Sequence, residues 1–406
     1  MKILLLNDMA APVGGAEILT FDLRSELRRR GHDARILASR ALLGESPGPA
    51  DFECFGTTSR LRTLNRTANP HAYWRLKRAL SDFRPDVVHV RMFMTQLSPL
   101  VLPPLRSVPS LYHAVWYETI CPTGHRLLPD RSICEERPGR ACRRCLSPPA
   151  WSSLMLQHLL WERWRDAFDL FVANSETVRR RLVEHGIEPV VVVHNGVPRR
   201  PPRPPPRRPP LIAYAGRLTR EKGVDVLLRA FQRVAAAESR ARLIVIGDGP
   251  EAGALARSIP ELGLEGRVTM TGHLPRRKME SMLDQAWIQV VPSLMEEPFG
   301  IAVAEAMMRG TPVVASNHGG PTEIVEDGRT GRLVPPDDPI SLATALTGLL
   351  DDPDRAEAIG AAGRQWALEH LTREACVEKF LALYGKLIES NGAWNEPSSS
   401  ERVRPV

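Results

Sequence analysis

The chain lacks any window of about 18 uncharged apolar residues, the length a bilayer-crossing helix needs, so no transmembrane helix is expected. Its opening apolar run, Ile3 to Leu6, is short, is closed by Asn7 and Asp8, and leads to no small-residue cleavage site. That start reads as a first strand rather than a signal peptide, which makes the cytoplasm the expected compartment. Aromatic residues are only 6% of the total, and no nucleic-acid-binding motif interleaves them with the basic residues, so nucleic acid is not an expected partner. Six cysteines are few for 406 residues, and without a secretory start disulfides are disfavoured.

What is present suffices for two domains, since 43% of the 406 residues are hydrophobic, enough for two cores. Charge is unevenly divided. Residues 1–210 carry 32 Lys and Arg against 20 Asp and Glu, whereas the remainder carries 22 against 27. The basic half should face something anionic, and an anionic membrane surface bearing a lipid-linked acceptor is the preferred partner. An Arg-heavy proteome is the plain alternative. At the join, residues 198–210 hold eight prolines and five arginines, which form neither helix nor paired strand and read as a stiff, extended linker.

The chain is organised around the stretch Pro292 to Gly310. Ala286 to Val291 reads as a buried strand, Glu296 to Gly300 as a loop, and Ile301 to Arg309 as a helix stopped at Gly310. Glu297 therefore falls in the loop and Glu305 on the helix. At about 1.5 Å of rise per residue the two acids need not touch, so they suit opposite ends of one elongated ligand. Between them the unpaired N–H groups of Phe299, Gly300, Ile301 and Ala302 favour an anion. Acid, anion hole, acid would suit a sugar, a diphosphate and a ribose in that order. The plain alternative is that acidic residues favour helix starts anyway.

Glu296-Glu-Pro-Phe-Gly300 with Glu305, followed by Gly310-Thr-Pro-Val-Val-Ala-Ser316, Gly319-Gly320 and Glu323, resembles the donor-site signature of the retaining family-4 glycosyltransferases with GT-B fold. The resemblance runs over nearly the whole chain. It implies an α/β architecture of two Rossmann-like domains facing each other across a cleft. The expected parts are an acceptor domain 1–197, the linker 198–210, a nucleotide-sugar domain 211–372, a helix 373–390 crossing back, and a disordered tail 391–406. It also implies Glu297 on the donor sugar's hydroxyls and Glu305 on the ribose. Gly216-Arg-Leu-Thr-Arg-Glu-Lys-Gly223 matches the family's Gly-Arg…Lys-Gly motif, in which the positions of Arg217 and Lys222 contact the donor phosphates. His113, ending an expected strand from Ser110, matches a histidine that faces the donor sugar in related enzymes. The loop at His273 corresponds to one that lines the nucleotide base. Gly14 and Gly15, before a helix expected over Ala16 to Arg30, are placed to receive the diphosphate or an acceptor group.

The implied reaction transfers a hexosyl group from a nucleoside-diphosphate sugar, with retention, to a lipid-linked, polysaccharide or small-molecule acceptor. No metal is expected in the chemistry, because Arg217, Lys222 and the helix start at Gly300 supply the positive charge. Two other readings stay open: a nucleotide-sugar epimerase of the same fold, which should not need Arg217, Lys222, Glu297 and Glu305 in this arrangement, and a non-catalytic binding protein, in which one of the four should be missing. Cys121, Cys134, Cys142 and Cys145, spaced C-x12-C-x7-C-x2-C, suit a structural zinc in a reducing compartment, against four unrelated thiols. Such a cluster is expected to order an acceptor-side loop, and a closed four-thiolate site would leave no position open for catalysis. A helix expected over Trp151 to Phe168 either packs on the sheet or touches a membrane interface.

Overall fold

Continuous apolar runs bounded by turn residues become strands buried on both faces, which is the mark of a parallel sheet. The computed structural model describes residues 1–11, 14–43, 48–59, 62–205 and 209–390; the expected disordered tail and part of the linker, 206–208, lie outside the described residues. The first sheet contains β1 (Lys2–Met9), β2 (Asp33–Ser39), β3 (Phe52–Cys54), β4 (Val87–Val90), β5 (Ser110–Ala114), β6 (Leu170–Ala173) and β7 (Val190–Val192) in the order β3-β2-β1-β4-β5-β6-β7. The second contains β8 (Leu211–Ala215), β9 (Arg242–Ile246), β10 (Val268–Gly272), β11 (Ile288–Val291), β12 (Val313–Ser316) and β13 (Arg332–Val334) in the order β10-β9-β8-β11-β12-β13. Pairing is parallel throughout both. Strand order reverses at β1/β4 and at β8/β11, and the carboxyl ends of strands at such reversals open into ligand crevices. The loops carrying Gly14 and Gly15, Arg217 and Lys222, and Glu297 follow β1, β8 and β11, three of those four strands.

The segments that lead into the second half and back out of it touch at Val197 and Leu371–Arg373. Val197 N–H donates to Leu371 O (2.8 Å) and Arg373 N–H donates to Val197 O (3.1 Å). A Cβ on Gly196 would lie 2.6 Å from Thr372 O, so only glycine lets the strands cross this closely. Thr372 then caps the helix Arg373–Glu389, whose Val377, Phe380, Tyr384 and Leu387 recur at helical spacing and are buried on the first sheet with Ile3, Leu5, Leu111 and Val172. Each such side chain contributes about 2 kcal/mol of transfer free energy. The linker lies on the second half: Arg203 N–H donates to Arg309 O (2.8 Å), and Arg200 and Arg203 pair with Glu280 and Glu357.

One helix start and three whole helices differ from the expected elements, each for a local cause. The helix expected from Trp151 starts at Pro148, because proline at the first turn loses no helix hydrogen bond. Helices Arg62–Thr67, Ala252–Glu261 and Arg276–Leu283 go unread: the first has six residues, the second contains Pro260, and the third is largely charged. The helix Ile301–Arg309 matches its expected span, with left-handed glycines at both ends, Gly300 (φ 90°) and Gly310 (φ 73°). Among the described residues no helix is long and apolar enough to cross a membrane.

Candidate active site

Lys222 and Glu297 are 75 positions apart, and two glycines bring them together. Gly223 closes the short turn Arg220–Lys222 in the left-handed region (φ 66°), and a Cβ there would stand 2.0 Å from Pro292 O. The loop after β8 is thus pressed onto the loop after β11. On the other side, a Cβ on Gly319 (φ 69°) would meet the Glu297 backbone at 2.5 Å, and Gly320 N–H donates to Glu297 O (2.7 Å). So clamped, Glu297 accepts from Lys222 Nζ (2.6 Å) and from the Ser293 hydroxyl, while His318 donates to Ser293 O (2.9 Å). Burial pushes the Glu297 carboxyl up, but Lys222 and Ser293 together outweigh it and hold it below the ordinary carboxylate range.

The neighbouring acid points elsewhere. Glu296 accepts from Nε and Nη2 of Arg181 in the first half (3.0 and 2.9 Å) and lies 3.9 Å from the buried Arg126. Glu305, on the second turn of its helix, pairs with Arg276 (3.0 Å). The two candidate acids therefore each hold a separate cation. Phe299 is buried against the His194 ring, and Ile301 faces the first half, where a Cβ on Gly15 would come within 3.2 Å of its side chain. Gly14 caps the helix Gly15–Arg29 in extended backbone. Glu17, one turn in, is raised by burial first and by Asp8, with Arg217 and Arg91 opposing. His273 is exposed in the loop after β10.

Arg217 stands exposed after β8 and, among the described residues, has no carboxylate within ion-pair distance. Its guanidinium lies 5.6 Å from the centre of the Trp116 ring, and Lys222 Nζ lies 5.8 Å from it. Trp116 went unread as a site residue, although an aromatic three positions beyond a strand-end histidine was the available signal.

His113 is placed differently from its expectation. It is 0% exposed, its ring lies 5.0 Å from Phe380 and 5.4 Å from His89, and both nitrogens are buried with no hydrogen-bond partner among the described residues. The cause is the returning helix Arg373–Glu389, which covers this face of β5. A ring so enclosed presents no nitrogen to the cleft, and burial holds it neutral, well below the ordinary histidine value. The four clustered cysteines are unpaired. Burial pushes the Cys142 and Cys145 thiols up, and the other clustered thiols push them further. Yet among the described residues no group of three or more His, Cys, Asp or Glu side chains is arranged to hold a metal ion.

Two Rossmann-like sheets facing across such a cleft define the GT-B class of transferases. Residues 13–200 match the family Glycosyltransferase Family 4, and residues 199–366 match Glycosyl transferases group 1. Between them these cover most of the chain, which belongs to the family-4 glycosyltransferases. It is 28% identical to the D-inositol 3-phosphate glycosyltransferase of Corynebacterium diphtheriae over 92% of this chain and 90% of that protein. Over a shorter stretch, 39% of this chain and 44% of the other, it is 35% identical to a GDP-mannose-dependent alpha-(1-6)-phosphatidylinositol monomannoside mannosyltransferase of Mycolicibacterium smegmatis. Sucrose-phosphate synthase of Thermosynechococcus elongatus shares the fold at TM-score 0.75 and 22% identity, over 96% of this chain and 100% of that one. Anabaena HepE, solved with UDP-glucose, does so at 0.68 and 21%, over 95% and 100%.

Proposed function

We propose that the protein transfers a hexosyl group from a UDP- or GDP-sugar to a hydroxyl of a lipid-linked saccharide, with retention and without a metal in the chemistry. The carrying observation is the Lys222–Glu297 pair beside Arg217, which has no carboxylate partner among the described residues: a ready-made place for a diphosphate next to a carboxylate for the sugar. Arg217 and Lys222 hold the diphosphate and stabilise the charge it gains on leaving. Glu297 accepts from the sugar hydroxyls and Glu305 from the ribose. Backbone N–H groups at Gly300 and Ile301, with Gly14 and Gly15 opposite, line the phosphate path. The bond from the anomeric carbon to the phosphate oxygen breaks, the acceptor oxygen bonds to that carbon on the same face, and the departing phosphate takes the acceptor's proton. Two similar proteins, one a GDP-mannose-dependent mannosyltransferase and one solved with UDP-glucose, support those two nucleotides.

A basic, partly apolar face of the first half supports a lipid acceptor. Helix Arg62–Thr67 packs on helix Pro148–Trp164 through Thr67 with Ser153 (2.8 Å) and Gln157 with Arg66 O (2.6 Å). Leu64, Leu156 and Leu159 stay exposed there, with Trp74 on the helix Pro70–Phe83. Exposed Arg62 and Arg163 stand on the same two helices as those leucines, and Lys77 lies over Trp74, a mixture suited to an anionic bilayer at the cytoplasmic face. We propose also that Cys121, Cys134, Cys142 and Cys145 hold a structural zinc: the donor set fits in kind, and no step of the chemistry passes through it.

Release of free nucleotide from UDP- and GDP-sugars, with and without anionic vesicles carrying extracted membrane lipid, tests the reading. Slow hydrolysis of one donor, accelerated by the vesicles and reduced at least about a hundredfold in Lys222→Ala, is expected. Acceleration by soluble sugars alone would move the acceptor away from the membrane, and no turnover or binding of any donor would sink the transferase.

A further inference from the structure

Between β5 and the helix Pro148–Trp164 the chain leaves the first half and grips the second. Leu127 and Ile133 pair in an antiparallel bridge, and Leu128 N–H donates to Ser132 O (2.9 Å), so residues 127–133 form a small hairpin. Leu127 is 5% exposed and belongs to the apolar core of the second half with Leu218 and Val226, and Ile133 packs against the same core. At the tip Arg131 pairs with Asp225 (2.7 Å) and Asp337 (2.6 Å), both from the second half, while Arg220 donates to Pro129 O. The expected acceptor-side loop is therefore a strap across the cleft. Its upstream end carries Trp116 onto Arg217 and Lys222, and the ring is seated on Gly124, where a Cβ would stand 2.0 Å from the indole nitrogen.

Resting on the reading of Arg217 and Lys222 as the diphosphate-binding groups, we infer that Trp116 is a positioning residue for the donor diphosphate. The ring's negative face attracts both cations. Among the described residues Arg217 has no carboxylate at ion-pair distance, and Lys222 pairs with Glu297, which the sugar must share. The indole holds both heads inside the cleft without neutralising them, as a carboxylate in its place would. Because the strap belongs to the first half and the cations to the second, the donor site is complete only when the strap is docked.

Calorimetric titration of wild type, Trp116→Ala, Trp116→Phe and Arg131→Ala with UDP, GDP, UMP and GMP tests this. For the nucleotide that binds wild type more tightly, Trp116→Ala should weaken diphosphate binding roughly tenfold, while Trp116→Phe, which keeps an aromatic face, stays within about threefold. The matching monophosphate should lose much less. Arg131→Ala, which frees the strap, should shift in the same direction as Trp116→Ala. Donor hydrolysis by Trp116→Ala should show the loss in KM more than in kcat. Wild-type binding with an unchanged Trp116→Ala, or equal losses for mono- and diphosphate, would overturn the role of Trp116 alone. Absence of binding to wild type would remove it together with the transferase reading.

Discussion

Glu118, two positions beyond Trp116, is a buried carboxyl with one oxygen that has no hydrogen-bond partner among the described residues. Burial, reinforced by Asp8, pushes it up to about 8. A carboxyl raised in the folded state binds a proton that the unfolded chain has released. Its stabilising protonation is thus intact below the ordinary 4.5 and is lost as pH rises toward about 8. The slope is at most about 1.4 kcal/mol per pH unit. Glu118→Gln removes it, so denaturant melts at rising pH should show the variant gaining on wild type through that window and running parallel beyond it. Parallel curves throughout would mean an ionised Glu118. At this scale the sequence was partly legible. Arg217, Lys222, Glu297 and Glu305 lie in a recognisable motif, whereas Trp116 meets its cations across about a hundred residues, a contact with no periodicity to betray it. The enclosure of His113 was equally hidden, since a helix from the far end of the chain causes it.

The elements were easier to read. A strand such as β6, buried along its whole length, leaves an unbroken apolar run, and helix ends marked by left-handed glycines fall where expected. Short charged helices such as Arg276–Leu283 owe their stability to tertiary contacts, here Arg276 with Glu305 and Glu280 with Arg200, and carry no pattern of their own. The cysteine segment reads at the level of composition, but its grip on the second core does not. With the proposed zinc in place, purified protein should contain about one metal per chain, absent from a Cys142→Ser/Cys145→Ser variant, and a strong chelator should lower its melting temperature. Metal analysis that finds no zinc in protein purified without chelator would discard the cluster.

For the molecule as a whole, closure rests on a few charged contacts. Glu323 accepts from the Glu176 N–H (2.8 Å), the Thr177 N–H (2.8 Å) and the Thr177 hydroxyl (2.9 Å) at the start of the helix Glu176–Glu184, and so ties the second half to the first. Burial raises this carboxyl, but His194 and those donors outweigh burial and hold it below its ordinary value. The tie is therefore complete above the ordinary 4.5 and fails as pH falls through the lowered value. Glu323→Ala should loosen closure by about 3 kcal/mol at neutral pH, counting charge-assisted hydrogen bonds. Small-angle scattering should then report a larger radius of gyration than wild type, and an unchanged radius would show that the remaining bridges suffice.

The crossing at Val197 and Leu371–Arg373 has a consequence of another kind. Because the chain enters and leaves the second half through two touching segments, that half is topologically a cassette set into a first half that closes over it with its own last helix. Its boundaries coincide with a single joint, so recombination between relatives at that joint exchanges the donor-holding cassette without rethreading the sheet that faces the acceptor.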